Sequence, residues 1–157
     1  MRMGELAISD TPGEVLVSLG LGSCIGLAVV DQRAGVAGLA HIVLPAATGT
    51  PKPGSLNKFA DHAVPALVDG MVERGASRVF LHAALVGGAS MFAATGAQTL
   101  EVGQRNATAV RELVTARRVP VVAEAVGGTR GRTVKVDVSS GTVSVREAGG
   151  VEEVLAA

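Results

Sequence analysis

Two runs, IGLAVVD (25–31) and VAGLAHIVL (36–44), are almost unbroken in apolar residues and are separated only by QRAG. A strand with one wet face alternates apolar and polar residues, whereas a strand covered on both faces does not. The pair therefore reads as a β-hairpin buried on both sides. This constrains the fold more than any other feature, because something must cover each face of the hairpin.

The rest of the chain supplies the covering elements. EVLVSL (14–19), RVFLHAALV (78–86) and VPVVAEAV (119–126) are β-prone. TVKVDVSSGTVSVRE (133–147) alternates and turns at Ser140–Gly141, a second hairpin. PAATGTPKPGSLN (45–57) reads as a surface loop. Ala60, Val64, Leu67, Val68 and Met71 share one helical face, with Pro65 predicting a kink or a later start and Gly75 a stop. A second helix is expected over 104–118, with Ala107, Val110, Leu113 and Val114 on its apolar face. About seven strands and two main helices, without regular βαβ alternation, predict a mixed α/β fold (α+β-like) of mixed β-sheets with the helices packed outside.

At 157 residues the chain is expected to form a single domain, 1–157. With 14 basic and 14 acidic residues there is no net field to draw nucleic acid, and with no Trp or Tyr there is no stacking platform for it. One cysteine excludes an internal disulfide and a multi-thiolate zinc site. The N-terminal MRMGELAISDTPGEV lacks the apolar stretch of a secretory signal, and no run approaches a membrane span. The expectation is a soluble cytoplasmic protein with no membrane insertion.

That cysteine, Cys24, lies in SLGLGSCIGLAVVD (18–31). A lone Cys in apolar surroundings is ordinarily a small buried hydrophobe. As a nucleophile it needs a base or cation to form thiolate near neutral pH. If the hairpin closes over Gln32–Gly35, Gly26 lies opposite His41 and Cys24 opposite Val43. Cys24 and His41 are then diagonal neighbours on one face, roughly 7–8 Å apart at Cα. A bulge or an odd-numbered loop would put them on opposite faces. Glycines before the Cys let backbone N–H groups approach a developing oxyanion. A hydrogen-bonded core role for His41 stays open on these grounds alone.

Other motifs are weaker. Gly20 and Gly22 begin a dinucleotide fingerprint, but Ile25 stands at the third position and a strand follows instead of a helix. GGASMF (87–92) resembles a hydrolase elbow around Ser90, but Phe92 replaces the final Gly and nearby His82 has no orienting acid. A tight strand-to-helix turn is the simpler reading. GGTRGR (127–132) offers Arg130 and Arg132 for an anion or for steering an acidic protein; a solvated lead-in to the hairpin is favoured.

Taken in order, LGLGSC (19–24), AHIVLP (40–45), KFAD (58–61), GGASMF, VGQRN (102–106) and GGTRGR span nearly the whole chain. This ordered set resembles the CheD family of chemoreceptor glutamine deamidases. The resemblance implies a cysteine-hydrolase fold, hydrolytic conversion of receptor glutamine side chains to glutamate, and a role in chemotaxis adaptation. It assigns the nucleophile to Cys24 and the base to His41. The family's third residue, a threonine, falls on Ser18, which keeps the hydroxyl but lacks the methyl that stiffens Thr. No metal or organic cofactor is implied. The implied partners are the helical cytoplasmic domain of a chemoreceptor, as protein substrate, and a CheC-type phosphatase. A weakly active regulatory protein that docks on either partner is the alternative, and a small-molecule cysteine amidase is a third reading.

Overall fold

The computed structural model describes residues 1–52, 54–90 and 97–157. Nine strands and two long helices are described: β1 Leu6–Ser9, β2 Val15–Leu21, β3 Ile25–Asp31, β4 Val36–Ile42, α1 Ala60–Glu73, β5 His82–Gly87, α2 Ala97–Ala116, β6 Val121–Val126, β7 Arg132–Asp137, β8 Val143–Glu147 and β9 Glu152–Ala156. They form a five-stranded mixed sheet, β1-β4-β3-β5-β6, and a four-stranded antiparallel sheet, β2-β7-β8-β9. The architecture is the expected mixed α/β arrangement. Among the described residues no helix is long and apolar enough to cross a membrane.

The β3–β4 hairpin has the expected register, with Asp31 opposite Val36 and Gly26 opposite His41. Its turn is held by Asp31, whose Oδ1 accepts the N–H groups of Arg33 and Ala34 while Oδ2 accepts that of Ser77. Every residue of both strands is buried. Alternate positions explain the unbroken apolar pattern. Ile25, Leu27, Val29, Ala40 and Ile42 point to one core, shared with Val64, Leu67, Val68 and Met71 of α1 and with Val110 and Val114 of α2. Ala28, Val30, Ala37 and Leu39 point to a second core, shared with Val134, Val136 and Val143 of the other sheet. The molecule is thus three layers, helices on sheet on sheet, with the hairpin in the middle.

Some elements depart from the sequence reading. Helix α1 starts at Ala60 and runs through Pro65, so it does not start late. It stops where expected: Gly75 has φ +107°, its N–H reaches Val72 O, and the next N–H, of Ala76, reaches Met71 O. Helix α2 begins at Ala97 and ends at Ala116, not 104–118. The strand expected over 78–86 begins only at His82. Two strands, β1 and β9, were not expected; each is short, β1 pairing with the distant β4 and β9 folding back on β8 across a four-residue turn.

Candidate active site

The site lies where the two sheets meet, and the alternation of β4 sets its direction. Ala37 and Leu39 face the second sheet, so His41 faces it too. Across from it, β2 carries Ser18, fully buried. Ser18 Oγ and His41 Nδ1 lie 2.9 Å apart.

A bulge makes this placement possible. Ser18 pairs with Val134 but Leu21 pairs with Arg132, so β2 carries one residue more than β7 over this stretch. The extra residue flips the parity of the strand. Ser18 and Leu21 are both fully buried as a result, while Leu19 between them stands 61% exposed. Gly20 takes the left-handed conformation this requires, at φ +65°.

Cys24 follows the bulge, just before β3, half-buried as a free thiol against the core between the sheets. The described ladder of the hairpin ends at Ile25 and Ile42, one step short of the expected Cys24–Val43 pair. The backbone around Cys24 is held from the other side instead. Gly88 N–H donates to Cys24 O at 2.8 Å and Ala89 N–H to Gly22 O at 2.7 Å. A Cβ on Gly87 would come within 2.2 Å of Cys24 O, so only glycine fits at that point of GGASMF. A Cβ on Gly103 of α2 would come within 2.4 Å of Gly88 O, which explains the glycine of VGQRN in the same way. Met91 and Phe92 of GGASMF lie outside the described residues.

Burial sets the protonation states. It pushes the Cys24 thiol above its ordinary value, opposed by the residue's own backbone N–H. It also lowers His41, with the N-terminal ammonium adding to the effect, while the Met1 backbone carbonyl and the charge of Glu5 act the other way. Both shifts favour the neutral pair, thiol with imidazole, over a standing thiolate–imidazolium pair. The His41 ring is held at Nδ1 by Ser18, whereas Nε2 is buried and has no hydrogen-bond partner among the described residues. An imidazole oriented at one nitrogen and free at the other is arranged to take a proton.

The sequence-derived candidates fare differently. Ser18 and His41 are in direct contact, and Cys24 lies on the same inter-sheet face. Ser90 is buried nearby, with its N–H on Gly128 O and no partner for Oγ. The solvated reading of GGTRGR does not hold for Arg132, which is only 8% exposed. Its guanidinium donates to Gly127 O at 2.6 Å, to Gly87 O at 3.3 Å and to Glu147 Oε1 at 2.6 Å. The charge is consumed in joining the two sheets behind the site. Asn106, fully buried on α2, was not singled out from the sequence. The available signal was its spacing, one turn after Gly103 on the side that packs against the site. Two surface hollows of about 640 and 620 Å³ lie on the four-stranded sheet, and neither is lined by Ser18, Cys24 or His41.

A three-layer mixed α/β fold that carries a serine-held histidine and a free cysteine on one inter-sheet face holds the groups a cysteine hydrolase would use. Comparison with known proteins narrows the class. The family described as CheD chemotactic sensory transduction matches residues 43–147. Curated relatives extend the match over the site. A probable chemoreceptor glutamine deamidase CheD of Symbiobacterium thermophilum is 40% identical over 155 residues, 98% of this chain and 94% of that protein. Proteins of the same description from Clostridium botulinum (strain Alaska E43) and Clostridium kluyveri are 38% and 40% identical over 148 and 141 residues, covering 94% and 88% of this chain and 91% and 87% of their own lengths. The chain belongs to the CheD family.

Proposed function

We propose that the protein deamidates glutamine side chains on the helical cytoplasmic domain of chemoreceptors, with Cys24 as nucleophile, His41 as base and Ser18 as the residue that orients it. The observation that carries this reading is the Ser18–His41 contact at 2.9 Å, which leaves a buried, unpaired Nε2 on the face that also holds Cys24. The substrate class rests on family membership and on the description of the relatives as chemoreceptor glutamine deamidases. A CheC-type phosphatase as second partner rests on family membership alone.

The chemistry follows from the neutral resting pair. Nδ1–H donates to Ser18 Oγ, which leaves the Nε2 lone pair for the Cys24 proton. As Sγ attacks the side-chain carbonyl carbon, the proton passes to Nε2, so no free thiolate has to be held in a partly buried site. Among the described residues the Ser23 and Cys24 N–H groups meet no backbone acceptor, and they are the candidates to stabilise the oxyanion. The imidazolium then protonates the departing nitrogen, the C–N bond breaks, and ammonia leaves a thioester on Cys24. His41 deprotonates a water that attacks the thioester, and glutamate and the thiol are released. No cofactor enters the sequence of steps.

The test is to incubate the protein with a glutamine-bearing cytoplasmic receptor fragment, and separately with free glutamine, following ammonia and amide-to-acid conversion by mass spectrometry. Conversion of the fragment and not of free glutamine is expected. Equal or faster turnover of free glutamine would identify a small-molecule amidase, and binding of the fragment without conversion would identify a docking protein.

A further inference from the structure

Among the described residues three buried side-chain polar atoms have no hydrogen-bond partner: His41 Nε2, Ser90 Oγ and Asn106 Oδ1. The first is accounted for by its role as base. Asn106 is the most constrained of the others. Its Nδ2 donates to Ser23 O at 2.9 Å and to Val43 O at 2.8 Å. Ser23 immediately precedes Cys24, and Val43 lies two residues beyond His41. The amide orientation is fixed, because a flipped amide would set Oδ1 against two carbonyl oxygens.

This contact falls where the sheet stops holding the site. The described hairpin ladder ends at Ile25 and Ile42, so no ladder pair fixes residue 24 against residue 43. The two segments are each anchored elsewhere, Cys24 O by Gly88 N–H and Val43 N–H by Lys58 O, both at 2.8 Å. Among the described residues the Asn106 amide bridges them directly. Helix α2 comes close enough to make that link because Gly103, one turn earlier, lies against Gly88. An acceptor left unpaired in a buried place is unfavourable, and Oδ1 has that cost without a structural return.

We propose that Asn106 is a positioning residue: its side-chain amide clamps the Ser23 and Val43 carbonyls together and thereby fixes the reach of Cys24 Sγ to His41 Nε2. This rests on the reading of Cys24 and His41 as the reacting pair. Loss of the clamp leaves the fold and the docking surface in place but lets nucleophile and base drift apart, and small misplacements of this kind cost catalysis steeply.

The experiment uses full-length Asn106→Leu, which has the same heavy-atom branching but is bulkier and has no donors, with Asn106→Ala as a second variant should Leu not fit. Far-ultraviolet circular dichroism and thermal unfolding establish folding. On the receptor fragment kcat is expected to fall about 10- to 100-fold with KM within about twofold. Alkylation of Cys24 by iodoacetamide at neutral pH separates positioning from loosening. Lost positioning slows alkylation to the level of His41→Ala, with no further fall in the double variant, whereas a merely loosened structure exposes the thiol and speeds it. Wild-type kcat, or faster alkylation at every pH, overturns the proposal. Cys24→Ala and His41→Ala are run alongside. If either converts substrate at the wild-type rate, the reacting pair itself is wrong; if both are inactive and Asn106→Leu is not impaired, only the positioning role fails.

Discussion

Ser18 is the residue at which this chain departs from the threonine its family resemblance implies, and its surroundings say what a hydroxyl must do there. It is fully buried, and its Oγ faces His41 Nδ1 at 2.9 Å. Ser18→Ala is expected to lower kcat about 10- to 100-fold, less than loss of the base itself, which general acid–base catalysis puts at roughly 10²–10⁴-fold. Ser18→Thr, which keeps the hydroxyl, is expected to retain activity. Steady-state kinetics on a receptor fragment distinguish the two. His41 makes a separate prediction about pH. Its folded-state value is lowered chiefly by burial, so the neutral form that accepts the thiol proton persists below the ordinary histidine value of about 6.5. The acid limb of kcat/KM is therefore expected below that pH; a limb above it contradicts the assignment. At this scale the register was legible, because hairpin arithmetic set Gly26 opposite His41; the roles proposed for Cys24 and His41 came from the family resemblance. Asn106 was not legible as a site residue, since an asparagine beside the apolar positions of a helix gives no sign of which two carbonyls it will meet.

At the level of elements, the bulge in β2 and the GGASMF turn place the side chains, and both depend on glycine for different reasons. Gly20 needs its left-handed φ of +65°, but a Cβ there would meet nothing within 4 Å. Gly20→Ala is expected to cost about 1–2 kcal/mol through backbone conformation alone. Gly87 also has a positive φ, +116°, and there an added Cβ would stand 2.2 Å from the Cys24 backbone carbonyl oxygen. Gly87→Ala must displace the Cys24 carbonyl, so it is expected to destabilise by more than Gly20→Ala and to abolish deamidation even where the protein remains folded. Thermal unfolding and activity of the two variants, measured together, check the order. The hairpins and α1 were visible in the sequence because turn residues and apolar period mark them locally. Strands β1 and β9 were not, because LAIS and EEVLA become strands only through pairing with β4 and β8. The bulge was also invisible: SLGL gives no local sign that both Ser18 and Leu21 will turn inward.

Over the whole molecule, the site depends on two sheets keeping their relation to each other. Ser18 belongs to one sheet and His41 to the other, so any slip between the layers separates them. Arg132 is a joint between the layers, reaching from β7 to Gly87 and Gly127 beside β5 and β6, with Glu147 of β8 balancing its charge. Arg132→Met, which keeps the aliphatic stem, is expected to lower stability by about 2–3 kcal/mol through the lost charge-assisted hydrogen bonds. Denaturant unfolding measures it. The sequence favoured a solvated arginine here because a Gly-rich loop carries no hydrophobic signal; burial comes from the packing of two sheets, which is a long-range property. The three-layer plan was legible in outline, since a hairpin apolar on both faces required cover on both sides.

The proposed mechanism turns on the bond between Cys24 and the receptor glutamine. Its most direct test is the rate of glutamine-to-glutamate conversion in a receptor fragment by folded Cys24→Ala beside the unaltered protein, read by mass spectrometry. Conversion is expected to fall to the uncatalysed background while the fragment still binds. Conversion by Cys24→Ala at an undiminished rate would contradict it.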